Sequence, residues 1–271
     1  PDDALVYPAH GAGSLCGKSM SDANSSTLGN ERMGNWAFKE QSKQEFMDTI
    51  LEGQLFIPSY FGYNVDINKD GAEVVETALE KIPFEDNATA QGLIIDMRDE
   101  SEFKNGHLEG SINIQATSDN AKFETWLGSI VEPEEEFILV IDTEGNKDKL
   151  LHRVAKIGYE KQLTKVITLS DKNLVKTEKL DLADFKENPN NYTIVDIRNN
   201  SEVNEGKFFK SALSHPLNEL RNTAKEIPTD KPIVVHCAGG YRSAAGSSIL
   251  EKQLKSVKVY DLSDDVKDFK N

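Results

Sequence analysis

Two cysteines occur in 271 residues, Cys16 and Cys237, and only Cys237 sits in a setting suited to nucleophilic chemistry. It follows the apolar run Ile233-Val234-Val235 and His236, and it opens the loop Cys237-Ala238-Gly239-Gly240-Tyr241-Arg242. A lone cysteine ending an apolar strand is ordinarily a small buried hydrophobe. Here Gly239 and Gly240 allow unusual dihedrals and close backbone approach. The small-residue run Ser243-Ala244-Ala245-Gly246-Ser247-Ser248 then opens a helix able to pack tightly. Backbone N–H groups of such a loop form an anion nest, and the helix N-terminus adds partial positive charge. That setting favours the thiolate, the form that attacks. A thiolate at Cys237 could take the outer sulfur of a donor, hold it as a persulfide and pass it to an acceptor.

Arg242 is placed to pair with an anionic donor or to steady charge in the loop, and its planar fork suits an oxyanion better than lysine would. Ser243 can donate a hydrogen bond, and Tyr241 is expected at the rim. A cysteine and an arginine sharing one loop also fit a phosphatase or an arsenate-reductase-like enzyme, where the cysteine attacks phosphorus or arsenic. Phosphatase-type loops read Cys-x5-Arg. This one reads Cys-x4-Arg, and the shorter loop fits a sulfane-sulfur group better than a phosphate. A non-catalytic docking module is the third reading, and the intact Cys237 loop argues against it.

The elements that must position this loop read as α/β. Gly92–Asp96, Phe137–Ile141 and 165–169 are short apolar runs typical of buried parallel strands. Ala78-Leu79, Phe123–Leu127 and Leu150–Ile157 fall in helix-like stretches between them. The arrangement returns about a hundred residues later. Asp196-Ile197-Arg198 repeats Asp96-Met97-Arg98, with Ser-Glu and then glycine at equal spacing in both (Ser101-Glu102 and Gly106; Ser201-Glu202 and Gly206). Lys231–His236 repeats the strand ending at Ile141, and Val257–Tyr260 repeats 165–169. Tandem domains with parallel sheets follow. The expected division is 1–70, 72–170, a polar surface linker over 171–190, and 191–271. A helix is expected over about 36–52 from Phe38, Phe46, Met47, Ile50 and Leu51, and Pro58–Tyr63 reads as an aromatic loop.

Composition bounds the function. Charged residues make up 28% and the formal net charge is −15, which argues against a nucleic-acid partner. No apolar run is long enough to cross a membrane, and the first residues lack the basic-then-apolar pattern of a secretory signal. Two cysteines are too few for a disulfide framework, so a reducing cytoplasm is the expected setting. Self-association into a homo-oligomer is left open.

On these motifs the second repeat resembles a rhodanese domain, the sulfurtransferase fold. The resemblance rests on Asp196-Ile197-Arg198, Glu202, Gly206 and Cys237–Ser243, and covers about 186–271. It implies that Cys237 is the persulfide carrier. The catalytic expectations are Cys237 and Arg242, with Ala238, Gly239, Gly240, Tyr241 and Ser243 forming the persulfide loop and Asp196 and Arg198 in support. It departs at Gly206-Lys207, where Gly-His is usual, and at Asp261–Asp265, where a glycine pair is usual. These departures bear on substrate preference. The first repeat resembles the same family at Asp96–Phe103 and Gly106–Ile114, but Asp142 is read at the cysteine position. A carboxylate cannot carry sulfane sulfur, so this domain is expected to be inactive, with a structural or docking role. His107 is expected to be structural, and Arg98 and Arg198 to be ion-pair residues.

Val6–Lys18 and Ser26–Arg32 resemble the end of a metallo-β-lactamase-fold hydrolase, more narrowly a persulfide dioxygenase fused to rhodanese domains. That resemblance implies a parent protein acting in sulfide detoxification, with iron in an upstream domain. Val6-Tyr7-Pro8 reads as the end of a buried strand with almost nothing before it, so the chain is read as a fragment. No metal is expected in this chain. Its five histidines lack ligand spacing, and His10 alone cannot hold one. Cys16 is read as incidental. Expected partners are small sulfur donors and acceptors: thiosulfate, glutathione persulfide or a similar persulfide, and sulfite, cyanide or a thiol.

Overall fold

The computed structural model describes residues 1–10, 22–53, 56–118 and 121–269. Contacts divide the chain into two compact units, Pro1–Leu55 and Phe56–Asn271. In the first unit β1 (Leu5–Val6) pairs antiparallel with β2 (Ser26–Thr27). Leu5 is 64% exposed, so this strand is not the buried element the sequence suggested. Helix α1 (Leu28–Gly34) starts where the Thr27 hydroxyl accepts the Asn30 N–H. The stretch expected as one helix over 36–52 is split into a turn at Trp36–Phe38 and α2 (Lys43–Leu51). Ser42 and Glu45 form a reciprocal capping box, which fixes the start of α2. Neither α1 nor α2 buries a residue. Cys16 lies outside the described residues, as does most of the segment around it. His10 is exposed.

The second unit begins with a helix where the sequence suggested a loop. Helix α3 (Tyr60–Asp70) lies against the domain that follows. Tyr60 fills the space over Gly128, where a Cβ would fall 2.1 Å from its ring. Tyr63 accepts a hydrogen bond of 2.9 Å from Gln162. The expected boundary at residue 70 therefore moves back, because the aromatic residues of 60–63 are anchors and not a loop.

Helix α4 (Val75–Glu80) leads into β3 (Phe84–Ala88), β4 (Ile94–Asp96), α5 (Glu100–Asn105), β5 (Ile112–Asn113), α6 (Phe123–Ile130), β6 (Phe137–Val140), α7 (Lys147–Ala155) and β7 (Leu163–Leu169). These strands form a five-stranded sheet in the order β3-β7-β6-β4-β5, with every pairing parallel. Helix α8 (Leu182–Glu187) follows inside the expected linker. Phe185 on α8 is fully buried against the Phe209 and Phe269 rings, so this part of 171–190 belongs to the second domain. Then come β8 (Thr193–Asp196), α9 (Asn200–Glu205), β9 (Leu213–Ser214), α10 (Leu220–Thr223), β10 (Ile233–His236), α11 (Tyr241–Gln253) and β11 (Val259–Asp261). They build a parallel four-stranded sheet in the order β11-β10-β8-β9.

The two domains share one apolar core. Leu127, Ile112 and Leu139 of the first belong to the same buried cluster as Val235, Ile249 and Leu250 of the second. Each such side chain contributes about 1.5–3 kcal/mol on burial. Helix α11 is the link. It packs on β10 and β11 of its own sheet and on β5, the edge of the other. There the Ser248 hydroxyl accepts the Asn113 N–H at 3.1 Å, satisfying an edge-strand donor. Arg221 adds a bidentate pair to Glu135 and bonds the Ile130 carbonyl. No described helix is long and apolar enough to cross a membrane.

Candidate active site

Cys237 leaves the end of β10 and is 2% exposed. Its Sγ accepts the Gly240 N–H at 3.2 Å, so the loop curls its backbone onto the sulfur. Gly240 is required twice over. Its φ is +96°, and a Cβ there would meet the Asp264 carboxylate at 3.1 Å and the Asp264 nitrogen at 3.2 Å. Gly239 carries neither constraint: nothing stands within 4 Å of a Cβ at that position. Helix α11 starts at Tyr241, directly behind the loop, and has no side-chain cap. The positive end of this helix therefore lies at the loop that holds the sulfur.

Arg242 is the cation of the site, and its fork is occupied. Its two terminal nitrogens bond the two Glu202 oxygens at 2.6 and 2.7 Å. Burial disfavours the charged guanidinium, yet the Glu202 carboxylate and the Cys237 sulfur outweigh it and raise the pKa above the ordinary value. Glu202 is pushed the other way, lowered by the Arg242 hydrogen bonds against the cost of burial. The pair therefore stays ionised throughout the neutral range. Glu202 also accepts the Asn199 N–H at 3.0 Å, the reciprocal bond that starts α9.

The other expected residues have structural partners. The Ser243 hydroxyl donates to the Gly240 carbonyl at 2.7 Å and braces the loop. Tyr241 is not at an open rim: its hydroxyl donates to the Gln115 carbonyl of the first domain at 2.8 Å. Asp196 and Arg198 form a buried pair beneath the loop, closed at 2.7 Å. The same guanidinium bonds the Gly206 carbonyl and lies 4.1 Å from the Phe208 ring centroid. Ala238 is half-buried at the mouth. His236, beside the cysteine, is fully buried between aromatic rings, and burial lowers its pKa, so at neutral pH it is uncharged and packs.

Three contributors escaped the sequence reading. Glu202 entered it as a repeat marker, yet it holds Arg242. The equal spacing of Ser-Glu in both repeats was the available signal. Trp126 and Gln115 come from the first domain. The Trp126 ring centroid lies 5.9 Å from the Arg242 guanidinium, and the indole is 5% exposed. No local pattern could place them, because only the docking of the two domains brings them to the loop.

The rhodanese-like domain model matches the chain twice, over residues 77–170 and 181–271. The chain belongs to the rhodanese-like family. Among curated proteins it is similar to YqhL of Bacillus subtilis strain 168, named only as uncharacterized, with 24% identity over 113 residues, 42% of this chain and 78% of that protein. Among solved structures it is similar to a metallo-beta-lactamase from Staphylococcus aureus subsp. aureus COL, at 30% identity and a TM-score of 0.42. That match covers 63% of this chain and 46% of the other, so the chain spans less than half of that protein. A rhodanese-related protein from Thermoplasma volcanium matches at 34% identity and a TM-score of 0.28, over 31% of this chain and 81% of that one.

The register of the two rhodanese sheets corrects one expectation. In the second domain Asp196 stands opposite His236, and Cys237 is next. In the first, Asp96 stands opposite Val140, and Ile141 is next. The Met97 N–H bonds the Val140 carbonyl just as the Ile197 N–H bonds that of His236. Ile141, not Asp142, therefore holds the cysteine position of the first domain. It is 1% exposed. Asp142 follows Ile141 as Ala238 follows Cys237, and beyond it the loops differ in length: α11 starts four residues after Cys237, α7 six residues after Ile141. Asn146 donates to the Asp142 carboxylate at 2.9 and 3.0 Å, closing the loop on itself. A polar cavity of about 300 Å³ remains there, lined by Arg98, Glu102, Ile141, Asp142 and Asn146. It holds no thiol. Arg98 is tied to Asp96 and the Gly106 carbonyl, the same arrangement as Arg198. His107 stacks on Phe103 at 3.9 Å and bonds its carbonyl, a packed structural histidine.

Among the described residues no group of three or more His, Cys, Asp or Glu side chains is disposed to hold a metal ion.

Proposed function

We propose that the chain is a sulfurtransferase that moves sulfane sulfur through a Cys237 persulfide. The observation that carries this reading is the Cys237 loop itself: a thiol with a backbone N–H on its sulfur at 3.2 Å, at a helix start, beside an ionised arginine. Membership of the rhodanese-like family supports it. In the first half-reaction the Cys237 thiolate attacks the outer sulfur of thiosulfate or of a low-molecular-weight persulfide. The S–S bond of the donor breaks, and sulfite or the parent thiolate leaves with the bonding pair. Cys237 then carries a terminal sulfur anion, which the loop N–H groups and Arg242 stabilise. In the second, a nucleophile such as sulfite, cyanide or a thiolate takes that sulfur, and the electron pair of the broken bond restores the Cys237 thiolate.

The first rhodanese domain serves as a wall of this site and not as a second catalyst. Ile141 has no nucleophilic atom, and Trp126 and Gln115 contact Arg242 and Tyr241. We infer further that the parent protein couples this transfer to a persulfide dioxygenase of the metallo-β-lactamase fold, with iron bound in an upstream domain, in sulfide detoxification in the cytoplasm. The sequence around Val6–Lys18 supports that inference.

Steady-state formation of thiocyanate from thiosulfate and cyanide tests the proposal. Parallel double-reciprocal lines, abolished in Cys237→Ser, are expected for two half-reactions through one carrier. Turnover that survives in Cys237→Ser would overturn it.

A further inference from the structure

The Cys237 pocket contains its own competitor for an anionic donor. Arg242 presents the edge of its fork to Glu202, and both terminal nitrogens are used, at 2.6 and 2.7 Å. That edge is the one a two-oxygen anion would use, because bidentate pairing needs two parallel N–H donors. The arginine side chain is 14% exposed and Cys237 is 2% exposed, so the resting pocket is nearly shut. On another side the guanidinium faces the Trp126 ring. Glu202 has a place to stay when it lets go. Its Oε2 already accepts the Asn199 N–H at 3.0 Å, so leaving the fork does not leave the carboxylate without a partner.

We propose that Glu202 is a charge gate: it fills the Arg242 fork in the resting protein, and an anionic sulfur donor enters by displacing it. The inference rests on the sulfur-transfer reading for its physiological meaning, but the gate itself concerns only which charge reaches Cys237. Glu202 is a positioning residue that acts through Arg242. Two anions compete for one cation, so the donor must offer charge and paired oxygens, as a thiosulfate sulfonate group does. A donor without them gains nothing from Arg242 and finds the cysteine covered. In the first domain the loop after Ile141 carries no arginine, and Asn146 bonds Asp142 across it.

Alkylation of Cys237 separates the gate from sulfur transfer. Iodoacetate and iodoacetamide both lose iodide to the thiolate, and they differ in charge. The full chain and Glu202→Gln are compared by intact mass against time. Glutamine is accepted at this capping-box position, so the variant keeps the bond to Asn199. Removing one negative charge at this range in a partly screened site should raise the iodoacetate-to-iodoacetamide rate ratio roughly three- to tenfold. The KM for thiosulfate should fall by a similar factor, with kcat nearly unchanged. Glu202→Asp, too short to span the fork, should move the ratio the same way but less, and it reads the gate if the glutamine variant is unstable. A ratio that stays level or falls in both variants, or a KM that rises, would show that Glu202 merely holds Arg242 in place. A ratio that rises while the wild type takes no sulfur from thiosulfate or from glutathione persulfide would keep the gate and reject the transfer reading.

Discussion

The two rhodanese domains carry the same frame and differ at its business end. Asp96 and Arg98 are paired as Asp196 and Arg198 are, and each arginine also closes on a glycine carbonyl one helix later, Gly106 or Gly206. At the loop the chemistry diverges. The second domain puts Cys237 and Arg242 around a positive-φ glycine; the first puts Ile141 and Asn146 around a loop with two carboxylates, Asp142 and Glu144. The comparison shows that the buried Asp–Arg pair belongs to the scaffold, since it persists where the nucleophile is gone. It also shows that losing the nucleophile did not free the first domain from the site. Trp126 and Gln115 still touch the active loop, and α11 lies on its edge strand.

The sharpest way to break this comparison is to damage the first domain. Trp126→Ala should cost about 3–5 kcal/mol, the usual loss for a buried tryptophan, read as a lower denaturant midpoint. It should also lower sulfur transfer, though no catalytic atom of the second domain changes. Full activity in the variant would separate the domains functionally. Next in size is Arg242→Ala, expected to lower kcat/KM for thiosulfate on the order of 100-fold, since it removes the cation and leaves the half-buried Glu202 carboxylate without a countercharge.

A smaller effect concerns the interface away from the sulfur. Glu251 on α11 is held up to about 7, first by burial and then by Asp261 and Glu178, with Lys104 opposing. An acid raised in the folded state binds more protons there than when unfolded, so stability falls as pH rises from its ordinary value near 4.5 to about 7. Glu251→Gln should flatten that slope and raise the unfolding free energy at pH 8 relative to pH 5 by up to a few kcal/mol, read as a higher Tm at pH 8. An unchanged slope would place the titration elsewhere. The smallest change is Tyr241→Phe, which removes the hydroxyl bonded to the Gln115 carbonyl and should cost about 1 kcal/mol by chemical denaturation, with kcat nearly intact. A large drop in kcat would give Tyr241 a part in the chemistry.

Much of the site was legible because it is local. Cys237, the glycines and Arg242 lie within one loop, and the small residues behind them announce a tightly packed helix. The repeat was legible because Asp96-Met97-Arg98 and Asp196-Ile197-Arg198 recur with their spacing intact. What escaped depends on distant partners. The run Phe137–Ile141 is buried throughout, so nothing within it marks where β6 stops. Only its pairing with β4 does, and that moves the cysteine position from Asp142 to Ile141. Helix α8 was hidden in a charged stretch whose one fully buried anchor is Phe185. Helix α3 was masked by Pro58 and Gly62, and its aromatic residues find their partners at Gly128, Tyr159 and Gln162.

The measurement closest to the central claim is the intact mass of the chain after thiosulfate or glutathione persulfide, beside Cys237→Ser. A gain of about 32 Da, one sulfur atom, is expected in the wild type alone, and sulfite or cyanide should remove it. A wild type that gains no mass from either donor, or a Cys237→Ser variant that gains the same mass, would contradict a persulfide carried on Cys237.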